Sequence, residues 1–194
     1  MLDEKKLKEA ESRVKQYIKE GIITTKGNKE FVKFFLTNAK NSIDSAKALY
    51  DLSVDEKKQE FMGFNYFNGL LWVVNASYYS MFYLTRALLE SEGIKITPIM
   101  SIHARTFDAL VYFFYLNGRL QKRIIEYLAE AEQAATNLLG MQKAEELMKE
   151  YFFEKDKRVT FTHDTSAVLI KTKAKTSLDR ANNFYEEIIK IIKE

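Results

Sequence analysis

Cysteine is absent from the sequence, which excludes disulfide bonds, thiol nucleophiles and thiolate metal sites in one step. A single proline, at position 98, and only seven glycines leave too few turn formers for an all-β fold. That scarcity points to long helices. Charge of one sign is not in excess either: the net charge is +3. So mild a balance permits nucleic-acid contact without demanding it, because a basic groove needs local clustering. Long uninterrupted apolar runs are missing as well. The most apolar segment, residues 70–89, is broken by Asn75, Ser77, Ser80 and Arg86, and reads as a buried helix rather than a membrane span. The opening "MLDEKKLKEAESRVK" is too charged for a signal peptide. The expected location is the cytoplasm.

Several enzyme signatures are also lacking. There is no glycine-rich phosphate loop after a strand, no helical His-Glu zinc motif and no Gly-x-Ser-x-Gly elbow. A di-metal helical bundle needs inward Glu-x-x-His pairs, and neither histidine has a glutamate three residues before it. No metal and no cofactor is therefore expected.

What is there suits helices. The chain is 46% hydrophobic and 29% charged, enough for a packed core and a hydrated surface. Helical apolar spacing predicts a first helix over residues 2–20 and a second over about 28–52, with Phe31, Phe34, Phe35, Ala39, Ile43, Ala46 and Leu49 in one stripe. The "SVDEKKQE" stretch reads as a charged surface link. The next helix, ending at Gly93 as its C-cap, is apolar around most of its circumference and belongs at the centre. An extended "IKITPIM" follows, and Ser101 is placed to cap a helix carrying His103, Phe107, Leu110, Val111 and Phe114. After the "NGRL" break come a helix from 120 to about 155 and a last one from about 166 to 193. The reading is one all-α domain over residues 1–194, an up-and-down bundle of five or six helices.

Between the last two helices lies "KRVTFTHDTS", which holds Arg158 and His163. An imidazole exchanges a proton near neutrality, its ordinary pKa being about 6.5. A guanidinium stays charged and offers a planar fork that suits a phosphate. Together they could cleave RNA without metal, the imidazole handling the proton and the guanidinium the charge growing on the phosphorus oxygens. Five steps along a helix leave two side chains about 140° apart, and five along a strand put them on opposite faces. They converge only where the chain turns between them, which makes residues 162–165 the decisive stretch. Asp164 could orient the imidazole or cap the helix. Lys155, Lys157, Lys171, Lys173 and Lys175 flank the element as candidates to steer RNA or as solvated charges.

Taken together, these segments resemble the HEPN superfamily of small prokaryotic helical bundles. "NASYYSMFYLTRALLESEGI" is similar to its Tyr-Tyr-x-Met-Phe helix, and "SIHARTFDALVYFFYLNGRL" to the helix and Gly-x-Leu break that follow, with His103 at the matching place. An Arg-x(4–6)-His element then leads into a final helix with spaced alanines, here Arg158, His163, Ala174, Ala181 and Phe184. The similarity spans about residues 31–192, with a HEPN-like core over about 28–193 and the first helix packed on it. It implies a dimeric bundle in which the Arg and His elements of two protomers face one cleft. It also implies a metal-independent endoribonuclease of the toxin–antitoxin type, paired with a nucleotidyltransferase-like partner. By position, Arg158 would polarise the scissile phosphate and His163 would move the proton, with Lys157, Asp164 and Lys155 nearby as substrate contacts.

Active members usually carry a polar residue directly after the arginine, whereas this chain has Val159. Other branches have lost the element and bind rather than cut. A non-enzymatic nucleotide- or protein-binding module is the alternative. Of the remaining candidates, His103 shares a face with Phe107, Leu110 and Phe114 and reads as a structural histidine bonded to a neighbour. Tyr78 and Tyr79 read as core or dimer packing rather than base stacking. Arg86 is expected to have a carboxylate partner.

Overall fold

The computed structural model describes residues 4–64, 66–98, 101–153 and 163–193, with side chains described outside 138–153 and 163–169. Among the described residues the chain forms an all-α bundle: α1 (Glu4–Lys19), α2 (Val32–Val54), α3 (Glu56–Phe61), α4 (Leu70–Ser91), α5 (Ile102–Leu110), α6 (Lys122–Phe153) and α7 (His163–Lys193). A π-helical turn, Val111–Tyr115, continues α5. No helix of the described residues is long and apolar enough to cross a membrane.

Helix α4 stands at the centre, as its apolar circumference requires. It packs on α2, α5, α6 and α7, and Met81, Leu84, Leu88 and Leu89 are fully buried. Each such side chain contributes roughly 1.5–3 kcal/mol through the apolar surface it removes from water. Small residues set the close approaches. Ala39 of α2 is buried opposite α4, where its carbonyl accepts from the Ser80 hydroxyl at 2.9 Å. Ala174 and Ala181 of α7 are fully buried in the same core.

The helix ends have identifiable causes. Beyond α4, Gly93 adopts φ +72°, its N–H bonds the Glu90 carbonyl, and the Ile94 N–H bonds the Leu89 carbonyl at 2.9 Å. That is a Schellman stop, which needs a left-handed residue. Glycine is required here twice over, because an added Cβ would lie 2.9 Å from the Gly27 carbonyl oxygen.

The two β-branched connections pair with each other. Ile23–Thr24 (β1) and Lys95–Ile96 (β2) form a short antiparallel ribbon with Ile23 opposite Ile96. Both isoleucines are buried, so the ribbon closes the end of the core between α1 and α5.

The structure corrects four expectations. The charged link holds a short helix, α3, because Asp55 accepts from the Lys58 N–H at 3.1 Å and caps it. Ser101 has φ +67° and makes no side-chain cap bond to α5. Phe31 and Phe34 are exposed rather than part of the buried α2 stripe. Phe34 lies about 140° around the helix from Ala39. Helix α7 starts at His163 rather than near 166.

Direction follows from the contacts. α2 runs antiparallel to α4, with the Ser53 hydroxyl near its end accepting from the Gly69 N–H at 2.8 Å. α6 also runs antiparallel to α4, since Arg119 just ahead of it pairs with Glu92 at 2.9 Å. α7 runs parallel to α4: its Lys175 lies over the Tyr50 ring near the end of α2, and Arg180 pairs with Glu130 further along. Helices α6 and α7 have 32 and 31 residues against 22 in α4. The rise of an α-helix sets His163 about 18 Å along α7 from Lys175, toward the end where α4 begins.

Candidate functional site

Of the residues singled out from the sequence, Lys155, Lys157, Arg158 and Val159 lie outside the described residues. His163 and Asp164 form the first turn of α7, and the side chains of that turn also fall outside them. Residues 163–165, within the stretch expected to turn, are helical. Of the basic residues that follow, Lys171 and Lys173 are exposed. Lys175 is engaged: its ammonium bonds Asp179 at 2.7 Å, and that bond raises its pKa above the ordinary value. One member of the expected RNA-steering group thus has a local carboxylate.

The side chains that the fold does gather are elsewhere, where α4 meets α5. The Tyr78 hydroxyl and His103 Nδ1 are 2.7 Å apart. The imidazole is packed among rings, 4.3 Å from Phe82 and 6.0 Å from Tyr79, centroid to centroid. Burial raises the Tyr78 phenol, with a smaller push from the Glu132 carboxylate. Burial also lowers His103, with the Arg86 charge adding to it. Both groups are held neutral. A phenol that keeps its proton donates to Nδ1, which leaves the ring proton on Nε2. His103 sits in the first turn of α5, where the helix dipole further disfavours a cation. This is the bonded structural histidine that the sequence suggests.

Arg86 corrects an expectation. It has no carboxylate within ion-pair distance among the described residues. Its guanidinium lies 4.9 Å above the Phe35 ring and makes a long, 3.4 Å, hydrogen bond to the Ile96 carbonyl. Burial lowers its pKa, countered only partly by the charge of Glu90. The Glu90 carboxylate, one turn on, accepts from the Phe31 N–H at 3.4 Å and lies 3.7 Å from Lys95.

Behind His103, the Asp108 carboxylate takes a two-point grip on Arg13, at 2.7 and 2.8 Å, tying α1 to α5. Glu132 of α6 stands close to both Asp108 and Tyr78. Burial, then the charge of Asp108, raises its pKa. The pairing of Tyr78 with His103 spans 25 residues and that of Arg13 with Asp108 spans 95, beyond any local sequence signal. What sequence does offer is the apolar face of His103 and the helical spacing of Tyr79, Tyr83 and Arg86.

Chemically, the cluster is a structural knot. Its imidazole is bonded on one nitrogen and packed at a tilt against Phe82, so it holds α5 against α4 rather than serving as a strong base. No group of three or more His, Asp or Glu residues that could hold a metal ion occurs among the described residues. No family model, curated protein or solved structure matches the chain.

Proposed function

We propose that the chain is a HEPN-type helical-bundle protein that cuts RNA without a metal ion, using Arg158 to polarise the phosphate and His163 to move the proton. The observation that carries this reading is the 2.7 Å bond between Tyr78 and His103. It joins the two separate segments whose motifs resemble the superfamily, one on the central helix and one at the start of the next. The order and direction of α4, α5, α6 and α7 support it too, with His163 opening the last helix of the bundle. A homodimer and a nucleotidyltransferase-like partner belong to the same proposal.

Two observations favour a second reading, a non-enzymatic binding module: Val159 follows the arginine, and an aromatic stripe lies open on α4. The test is incubation of single-stranded RNA with the purified chain in EDTA. The ribonuclease reading expects cleavage that disappears in Arg158→Ala and His163→Ala while the helical circular dichroism persists. The binding reading expects intact RNA under every condition and saturable binding of ATP or of a partner protein.

A further inference from the structure

Exposed apolar side chains are concentrated at the end of the bundle where α3 leads into α4. Phe61, Met62, Phe64, Tyr66 and Trp72 are all exposed there, Phe61 at 92% and Tyr66 at 97%. Single rings scattered over a surface are ordinary, but a run of them within one connection is not.

The backbone that carries them is locked. The buried Gln59 amide donates to the Leu52 carbonyl at 2.8 Å and to the Phe67 carbonyl at 3.1 Å. Its oxygen accepts from the Phe67 N–H at 3.1 Å, and the Ser53 hydroxyl accepts from the Gly69 N–H. Tyr66 takes φ +61°, which costs a non-glycine residue on the order of 1 kcal/mol. Such a conformation persists only where its surroundings over-determine it. Rings on a fixed frame, with two side-chain torsions each, lose little freedom on binding.

Charge and position indicate what they bind. Lys58 lies 3.3 Å from Asp51 and 3.8 Å from Asp55, and offsets their charge. Lys57 of α3 and Lys171 and Lys173 of α7 are exposed and in no ion pair among the described residues. Because Lys175 lies over the Tyr50 ring, Lys171 falls about 6 Å further along α7 toward this same end. His163 opens α7 beyond it. The exposed Glu56 and Glu60 interrupt the lysines, so the surface is not a continuous basic groove. Open rings with a few cations suit unpaired bases, since every base has a face that stacks on an aromatic ring.

We propose that Phe61, Tyr66 and Trp72 form a base-stacking platform for single-stranded RNA, with Lys57, Lys171 and Lys173 supplying a few phosphate contacts. The proposal rests on the ribonuclease reading and adds what selects its substrate: unpaired bases near the cut, of no fixed sequence. Stacking rather than charge then carries most of the affinity. With three lysines at most engaged, log Kd should vary with log salt by a slope no steeper than about 2.

Fluorescence anisotropy of a labelled 2′-O-methyl oligoadenylate tests this on the full chain, because a blocked 2′-oxygen cannot act as nucleophile while the bases stay free to stack. The strand should bind at least about tenfold more tightly than an abasic strand of the same length and charge. Phe61→Ala and Tyr66→Ala, both at exposed sites, should each weaken binding at least about fivefold with unchanged circular dichroism. No binding, equal affinity for the abasic strand, a steeper salt slope, or variants that bind like wild type would overturn the proposal. Flotation with phosphatidylcholine vesicles is the parallel arm: capture by the vesicles without a response to RNA would overturn it and assign the rings to a lipid surface. A wild type that cuts RNA but ignores the bases sinks the platform and leaves the ribonuclease. Base-dependent binding without cleavage of an unmodified strand does the reverse.

Discussion

The Tyr78 hydroxyl stands 2.7 Å from the His103 ring nitrogen, and burial holds both groups neutral. Tyr78→Phe removes the donor and leaves a half-buried nitrogen without its bond, at a cost of about 1 kcal/mol. Urea unfolding of the two proteins measures it, and an unchanged midpoint would mean that the bond contributes nothing.

The same bond carries a pH dependence. The folded pKa of His103 is depressed, so its contribution is present above the unfolded value of about 6.5 and is lost as pH falls through the folded value. Thermal midpoints taken by circular dichroism from pH 7 downward should fall for wild type and fall less for His103→Gln.

Glu132 has the opposite sign. Burial raises its folded pKa, so its contribution is present below the unfolded value of about 4.3 and is lost as pH rises through the folded one. At pH 7 the ionised carboxylate is therefore a liability. Glu132→Gln should raise the thermal midpoint there by roughly 1–2 °C, allowing for solvent screening of a half-exposed group. The difference should shrink near pH 4.

The Arg13–Asp108 pair should respond unequally to truncation, because the side chains are 45% and 4% exposed. Arg13→Ala strands a buried carboxylate and should cost about 3 kcal/mol. Asp108→Ala lets Arg13 turn to water and should cost about 1 kcal/mol. Equal losses by urea unfolding would contradict this account of the pair.

Much of the fold is legible in the sequence, because helices announce themselves through local spacing. The central position of α4 follows from its all-round apolar surface, and its end from Gly93. The spaced alanines of the last helix, Ala174 and Ala181, and its Phe184 are buried. Three of the misses depend on residues distant in sequence or on one capping bond. Ile23 finds Ile96 across 73 positions, which no local window contains. Helix α3 hangs on Asp55, whose cap bond outweighs a charged composition. Arg86 is expected to find a carboxylate, but the nearest one along its helix, Glu90, is held by Phe31 and Lys95, which other elements bring in. For the candidate site, the sequence names Arg158 and His163, and the fold fixes where α7 begins.

The most direct test of the central claim is the initial rate of cleavage of a labelled single-stranded RNA in EDTA, wild type beside His163→Ala. The account predicts a measurable wild-type rate that falls by about 10²–10⁴-fold in the variant, the usual contribution of a positioned proton-transfer group. Equal rates, or no cleavage by wild type, would contradict it.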